Sequence, residues 1–276
     1  MKVTFWGVRG SIPTVTKQTQ VYGGSTPCVT IEESDTIIIL DAGSGIRHLG
    51  ESGILDKYET INILLTHLHM DHIQGLGFFT PFFKTGRKVN MWGPSGSSSL
   101  VKRLNRYLSP PLFPVRIRDF QCDLSIDNMP MKPLQLGTLT VKGQYICHPG
   151  PTLGFRISNG QKAVTYIPDH EPALASREFP KSEKWTSGFD LAHNSDLLIH
   201  DAQFTDEEYA QCIGWGHSTM HHALAMAKLS GAKKLVTFHH DPSHTDACLD
   251  QIYLDCECGS QEFPVVIGRE GEVIEV

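Results

Sequence analysis

The sequence predicts an α/β protein in which two mixed β-sheets pack face to face with helices outside. Three observations carry this expectation. Short apolar runs of strand length recur from one end of the chain to the other. Helical patterns interrupt them in both halves instead of gathering in one. No linker, low-complexity tract or block of like charge divides the 276 residues, so one domain over 1–276 is expected.

The strand-like runs are 3–6, 29–32, 36–40, 61–66, 89–92, 138–141, 154–158, 163–167, 197–200, 235–238, 265–268 and 272–276. Asn159-Gly160 separates two of them and signals a hairpin, because a two-residue turn there needs positive φ at both positions. Asp71 is placed to cap a helix reaching about residue 84, with Phe78, Phe79, Phe82 and Phe83 toward the core and Pro81 disturbing its end. Residues 97–108 are amphipathic, with Leu100, Leu104 and Leu108 on one side and Lys102, Arg103 and Arg106 beside them. Ser218 caps a third helix, which Gly231 stops. The Pro-rich stretch 109–133, with Phe113, Arg116 and Arg118, reads as an irregular excursion near the mouth of a site.

Composition narrows the function classes. Hydrophobic and charged fractions of 40% and 20% are those of a soluble globular protein. A net charge of −6 speaks against a broad nucleic-acid surface. Met1-Lys2-Val3-Thr4-Phe5-Trp6-Gly7 reads as a strand and lacks the apolar core of a secretory signal, and no apolar run reaches membrane-spanning length. Seven scattered cysteines fit reduced thiols in a cytoplasm better than a disulfide framework. Cys256-Glu257-Cys258 has no second pair to complete a metal site. Dimers are the commonest assembly of soluble proteins, so a homodimer is a candidate partner state.

The chemistry concentrates in His67-Leu68-His69-Met70-Asp71-His72, directly after an apolar run. With 14 His in the chain, this pattern arises by chance in on the order of one chain in a thousand of this length. A loop there points His67 and His69 to one side and Asp71 and His72 to the other. Nitrogen and oxygen donors without thiolate suit Zn²⁺, Mn²⁺ or Fe²⁺. Three further donors, His148, Asp169 and His239, close other strand-like runs. Each alone is an ordinary strand-end residue; together with the motif they supply the seven donors that two metals sharing a carboxylate require. His240 competes with His239 for the last position. Asp41 is placed to orient a ligand imidazole from outside the metal sphere.

These residues resemble those of the metallo-β-lactamase-fold hydrolases, a four-layer αββα sandwich with its metals along one edge of the sheets. The resemblance implies that His67, His69 and His148 bind one metal, that Asp71, His72 and His239 bind the other, and that Asp169 bridges them. It is strongest to the phosphodiesterase branch, which includes tRNase Z and the phosphoribosyl cyclic phosphodiesterase. Leu198-Ile199-His200-Asp201-Ala202-Gln203-Phe204 is similar to the His-Glu-Ala-Thr element of tRNase Z, with Asp for Glu, and Gly216-His217-Ser218-Thr219 to its His-Ser-Thr element. Carried over, His217 stands over the scissile phosphate and Asp201 orients it. Phe5-Trp6-Gly7-Val8-Arg9-Gly10-Ser11, Tyr22-Gly23-Gly24-Ser25-Thr26-Pro27-Cys28, Tyr166-Ile167-Pro168-Asp169-His170-Glu171-Pro172 and Phe238-His239-His240-Asp241-Pro242-Ser243-His244 resemble a bacterial subgroup of cyclic-phosphodiester hydrolases.

The expected activity is therefore hydrolysis of a small, cyclic phosphodiester by in-line attack of a hydroxide held between two divalent ions, Zn first, with Mn or Fe as alternatives. His217, Asp201 and Asp71 are the expected catalytic residues; Arg9, Arg116, Arg118, His240 and His244 are candidate substrate contacts. tRNase Z carries its tRNA-gripping arm between the third ligand motif and the bridging Asp, and here those positions are 21 apart with a hairpin between them. The rivals are a thioesterase or lactonase on the same scaffold, a tRNase Z-like endonuclease, a di-iron oxygen- or nitric-oxide-reducing protein, and a metal-holding binder without catalysis.

Overall fold

Runs of Ile, Val and Leu with both faces apolar become central strands, because helices cover one face and the opposing sheet the other. The computed structural model describes residues 1–173, 175–180 and 182–276. In chain order its elements are β1 (Lys2–Gly7), β2 (Cys28–Glu33), β3 (Thr36–Leu40), α1 (Gly45–Glu51), β4 (Thr60–Leu64), α2 (Met70–Ile73), β5 (Lys88–Gly93), α3 (Leu100–Leu104), β6 (Asp123–Asn128), β7 (Leu134–Leu136), β8 (Leu139–Tyr145), β9 (Leu153–Ser158), β10 (Ala163–Ile167), α4 (Phe189–Ala192), β11 (Leu197–Asp201), α5 (Asp206–Cys212), α6 (Met220–Ser230), β12 (Leu235–Phe238), α7 (Asp246–Asp255), β13 (Val265–Ile267) and β14 (Val273–Glu275).

The strands form two seven-stranded mixed sheets, ordered β14-β1-β2-β3-β4-β5-β6 and β13-β12-β11-β10-β9-β8-β7. In the first, β3 to β6 run parallel; in the second, β10 to β13 do. Phe5, Ile38 and Leu40 meet Phe155, Tyr166, Ile199 and Phe238 between the sheets. Ile37, Ile39, Ile61 and Ile63 face the other way and pack on Ile46, Leu49 and Leu100. Ile167, Leu198 and Leu235 similarly pack on Leu191, Ala223 and Ala227. The result is the αββα sandwich that the strand and helix pattern led us to expect.

Several elements differ from their sequence reading. The helix expected from Asp71 to about residue 84 stops after Ile73 and breaks into 3₁₀ turns at Leu76–Phe78 and Thr80–Phe83. Gly75 and Gly77 weaken it and Pro81 has no N–H to donate. Phe79 and Phe82 are buried, whereas Phe78 and Phe83 are exposed. Thr219, not Ser218, caps α6 by accepting from His222 N–H at 3.1 Å; the Ser218 hydroxyl donates to His170 O instead. The Asn159 loop holds residues 159–162, and only Gly160 has positive φ; Asn159 Oδ1 accepts the N–H groups of Gln161 and Lys162. The stretch 109–133 is not irregular throughout, since β6 forms the edge of the first sheet beside β5. Among the described residues, no helix is long and apolar enough to cross a membrane.

Phe155 is fully buried at the junction of the two sheets. Phe155→Ala is expected to cost about 3–5 kcal/mol, read from the shift of a denaturation midpoint. A loss below about 1 kcal/mol would contradict the sandwich packing.

Candidate metal centre

Parallel strands present their carboxyl ends on one rim, where α/β folds place ligands. Past β4 the chain turns and delivers His67 and His69, and α2 presents Asp71 and His72. The β8–β9 turn supplies His148, and Asp169 and His239 follow β10 and β12. His239 has φ 62°, a strained conformation for a residue with a side chain. The opening loop closes tightly over it: a Cβ on Gly10 would lie 2.5 Å from its Nδ1.

Two groups of donors result. His67, His69 and His148 each bring a ring nitrogen within 4.8 Å of the others, and Asp71, His72, Asp169 and His239 do the same with one ligand atom apiece. His69 Nδ1 lies 3.2 Å from His148 Nε2. Asp169 borders both groups. Its Oδ2 is 3.3 Å from His239 Nε2, 3.7 Å from His67 Nε2 and 3.9 Å from His148 Nε2. Its Oδ1 is 2.9 Å from His72 Nε2 but out of line for a hydrogen bond.

Hydrogen bonds behind these rings aim their lone pairs inward. Asp41, buried under the site, accepts from His72 Nδ1–H at 2.8 Å, from the Tyr166 hydroxyl at 3.0 Å and from Thr66 N–H at 2.8 Å. The Thr66 hydroxyl also donates to Asp41, so its oxygen accepts His67 Nδ1–H at 3.0 Å. His148 Nδ1–H donates to Gly216 O and His239 Nδ1–H to Gln203 Oε1. Each Nε2 thereby faces the cluster, and once free of its proton can offer its lone pair to a cation. His67 Nε2 and Asp169 Oδ1 are buried without a hydrogen-bond partner. Such orphans cost about 1–3 kcal/mol each unless something binds them. The donor set and these orphans fit a pair of divalent cations sharing Asp169.

Above the cluster stands His217. Its Nδ1–H donates to Asp201 Oδ2 at 2.7 Å, and its ring stacks on His239 with 5.0 Å between centroids. Asp201 is fully buried and also accepts the backbone N–H groups of His170, Gln203 and Ser218.

A family model for the β-lactamase superfamily domain matches residues 36–240. The chain belongs to this superfamily. A ribonuclease Z from Prochlorococcus marinus (strain MIT 9312) is 25% identical over an alignment 292 positions long, covering 89% of each chain. The crystal structure of the metallo-β-lactamase fold protein YhfI from Bacillus subtilis superposes with a TM-score of 0.72 at 22% identity, over 99% of both chains. That of a diphosphatase from the PhnP family superposes with a TM-score of 0.68 at 15% identity, over 100% of this chain and 97% of the other.

In this β-lactamase-superfamily site, burial and charge pull in opposite directions. Burial holds the His67 and His69 imidazoles below their usual value and brings His148 down to about 4. Burial acts alike on His72 and His239 but is outweighed: Asp169, Asp71 and Asp41 raise His72 well above normal, and Asp169 with Asp71 lifts His239 to about 9. Burial pushes Asp169 up, yet His239, His72 and His67 hold it well below the carboxylate range; His72 and His239 do the same to Asp71.

Several sequence candidates have other work. Arg9 is fully buried; its Nε–H and Nη2–H groups donate to Gly23 O and its Nη1–H groups to Asp241 O and His244 O, so it clamps two loops and is not a phosphate clamp. His240 Nε2–H donates to Gly268 O, and His244 Nε2–H to Glu208 at 2.9 Å; both rings are buried and engaged, so neither is a substrate contact. Arg118 lies 3.8 Å from Asp119 with its side chain 73% exposed, and Arg116 N–H is accepted by Asp119; neither lines the cavity beside the metal cluster. Thr66, Tyr166 and the Gln203 side chain were not singled out from sequence. Tyr166 and Gln203 stand inside quoted motifs and Thr66 closes the strand-like run 61–66, which was their only signal.

At pH 7 the raised values leave His72 and His239 protonated without metal, and a ligating nitrogen must shed its proton. Zn²⁺ titrated into metal-free protein at pH 7 should therefore release at least two protons per chain, measured by calorimetry in buffers of different ionisation enthalpy. Release should fall as the pH rises through about 9, where His239 is already neutral. Zn²⁺ uptake without proton release at pH 7 would contradict this electrostatic picture.

Proposed function

We propose that the chain is a two-metal phosphodiesterase that cleaves a small, cyclic phosphodiester. The observation that carries this is the His217–Asp201 pair standing over a seven-donor cluster in a β-lactamase-superfamily fold. Membership of that superfamily, with a ribonuclease Z among the relatives, supports a metal-dependent hydrolase acting on phosphodiester bonds.

His67, His69 and His148 would hold one cation and Asp71, His72 and His239 the other, with Asp169 shared. Two such cations, when bound, supply Lewis acidity toward phosphate oxygens and acidify water. The protein supplies the rest. Asp201 keeps His217 in one tautomer, with Nδ1–H tied back and Nε2 free. A proton carried on Nε2 passes to the departing alkoxide oxygen, and Asp201 stabilises the imidazolium until it does. Three backbone N–H groups hold the Asp201 carboxylate still while this happens. Asp71 is itself held by Ser11 N–H at 2.9 Å, which fixes the loop over the site.

Size selection follows from topology. The 20 residues between His148 and Asp169 are mostly taken up by β9, β10 and their short loop, which supports a small substrate over a gripped RNA. The ribonuclease Z relative favours RNA as a second reading. Mixed N/O donors favour Zn, with Mn or Fe according to supply. Seven cysteines outside any disulfide support a reducing cytoplasm.

Assays of metal-loaded protein with bis(p-nitrophenyl) phosphate, cyclic nucleotides, precursor tRNA and a thioester separate the readings. Turnover of the small phosphodiesters is expected; cleavage of RNA alone, or of the thioester alone, would sink the proposal. His217→Ala should lower kcat by about 10²–10⁴-fold with both metals retained by elemental analysis. Undiminished kcat in that variant would remove His217 from the chemistry.

A further inference from the structure

Beside the metal cluster lies a cavity of about 220 Å³ walled by His67, Leu68, His69, Arg103, Pro149 and Pro151. Asp71, Asp169 and His217 do not line it. It lies on the flank of the first group of imidazoles. Its walls are mainly apolar, and Arg103 is the fixed positive charge among them.

The Arg103 guanidinium is held from behind. Its Nε–H donates to Ser98 O at 3.2 Å, and Nη2–H donates to Pro94 O. A Cβ on Gly96 would lie 3.0 Å from its Cζ and 3.1 Å from its Nη1, so the group rests against bare backbone. Among the described residues, Nη1 donates to no acceptor and no carboxylate comes within ion-pair distance. A partly buried guanidinium usually has a counter-charge, because losing water around an unpaired charge is costly. Arg103 has the rigidity of a paired arginine and no protein anion to pair with. Held in place beforehand, it would lose little further freedom on meeting one.

We propose that Arg103 forms an anion subsite, and that the substrate carries a second anionic group, such as a phosphate monoester, beside the phosphodiester that is cut. This rests on the phosphodiesterase reading of the metal centre. On that reading the scissile phosphate would lie at the metal centre, which His67 and His69 border as well as this cavity. The second group reaches into the cavity, its non-polar connection lying against Leu68, Pro149 and Pro151, and its oxygens accept the free Nη1–H groups.

The test compares ligands that differ only in that group. Calorimetry on metal-loaded protein would measure binding of thymidine 3′,5′-bisphosphate and thymidine 5′-monophosphate. The bisphosphate should bind about tenfold tighter or better to the wild type, and Arg103→Gln should bring the two within about twofold. Gly96→Ala, which displaces the guanidinium without removing its charge, should weaken the preference too, and keeps the test decisive if Arg103→Gln does not fold. In turnover, Arg103→Gln should raise KM about tenfold for thymidine 3′-phosphate 5′-(p-nitrophenyl phosphate), leaving kcat and the KM for bis(p-nitrophenyl) phosphate unchanged. No preference in the wild type, or equal losses on both substrates, would overturn the subsite. A bisphosphate preference without turnover of either ester would uphold the subsite and defeat the phosphodiesterase reading.

Discussion

The structure is organised around one buried carboxylate that several imidazoles must reach at once. Asp169 sits at the tip of β10, 1% exposed, with His67 and His72 arriving from the chain after β4, His148 from the β8–β9 turn and His239 from β12. A carboxylate so placed is tolerable only if positive charge meets it from several sides. No single segment can supply that, so the parallel halves of both sheets have to end on the same rim. Backbone strain collects there: Asp41 and His239 both have positive φ, at the ends of β3 and β12. Packing of the large side chains between the sheets holds these tips in register.

Around this centre, buried polar groups mostly act through other residues. Arg9 touches no donor of the cluster, yet by clamping Gly23, Asp241 and His244 it fixes the loop that carries His239 and lets Gly10 close over that ring. Asp41 lies beneath the site and joins the first sheet to Tyr166 of the second. Asp201 spends its acceptor capacity on three backbone N–H groups and one imidazole, which leaves His217 a single orientation. Rigidity of this kind gives the imidazole beside the donor cluster a fixed place, which the proposed proton transfer requires.

Much of this was legible in the sequence because it is written in local pattern. Apolar runs marked the twelve strands they were taken to mark; central strands such as β3 and β10 are buried on both faces and leave a continuous hydrophobic signature. β6 and β7 escaped because an edge strand such as Asp123–Asn128 need not be apolar. α1, α4, α5 and α7 were not read out, although Thr205 and Glu208 form a reciprocal cap at the start of α5. In the site, the donors were readable because they follow strand ends and carry metal-binding chemistry. Arginines were not, because charge in a sequence does not say whether a guanidinium meets carbonyls, solvent or a cavity. Arg9 is sealed by backbone oxygens and Arg118 is solvated, while Arg103, noted only as part of a helix face, borders the site. The choice between His239 and His240 likewise needed coordinates: His240 turns to Gly268 O and His239 faces Asp71.

The central claim is that two cations share Asp169. Anomalous scattering at the zinc edge from crystals of metal-loaded protein tests it most directly. The account requires two peaks flanking the Asp169 carboxylate at about 2.0–2.2 Å from their ligand atoms, one also coordinated by His67, His69 and His148, the other by Asp71, His72 and His239. A single peak, or a pair in which Asp169 touches only one ion, would contradict it.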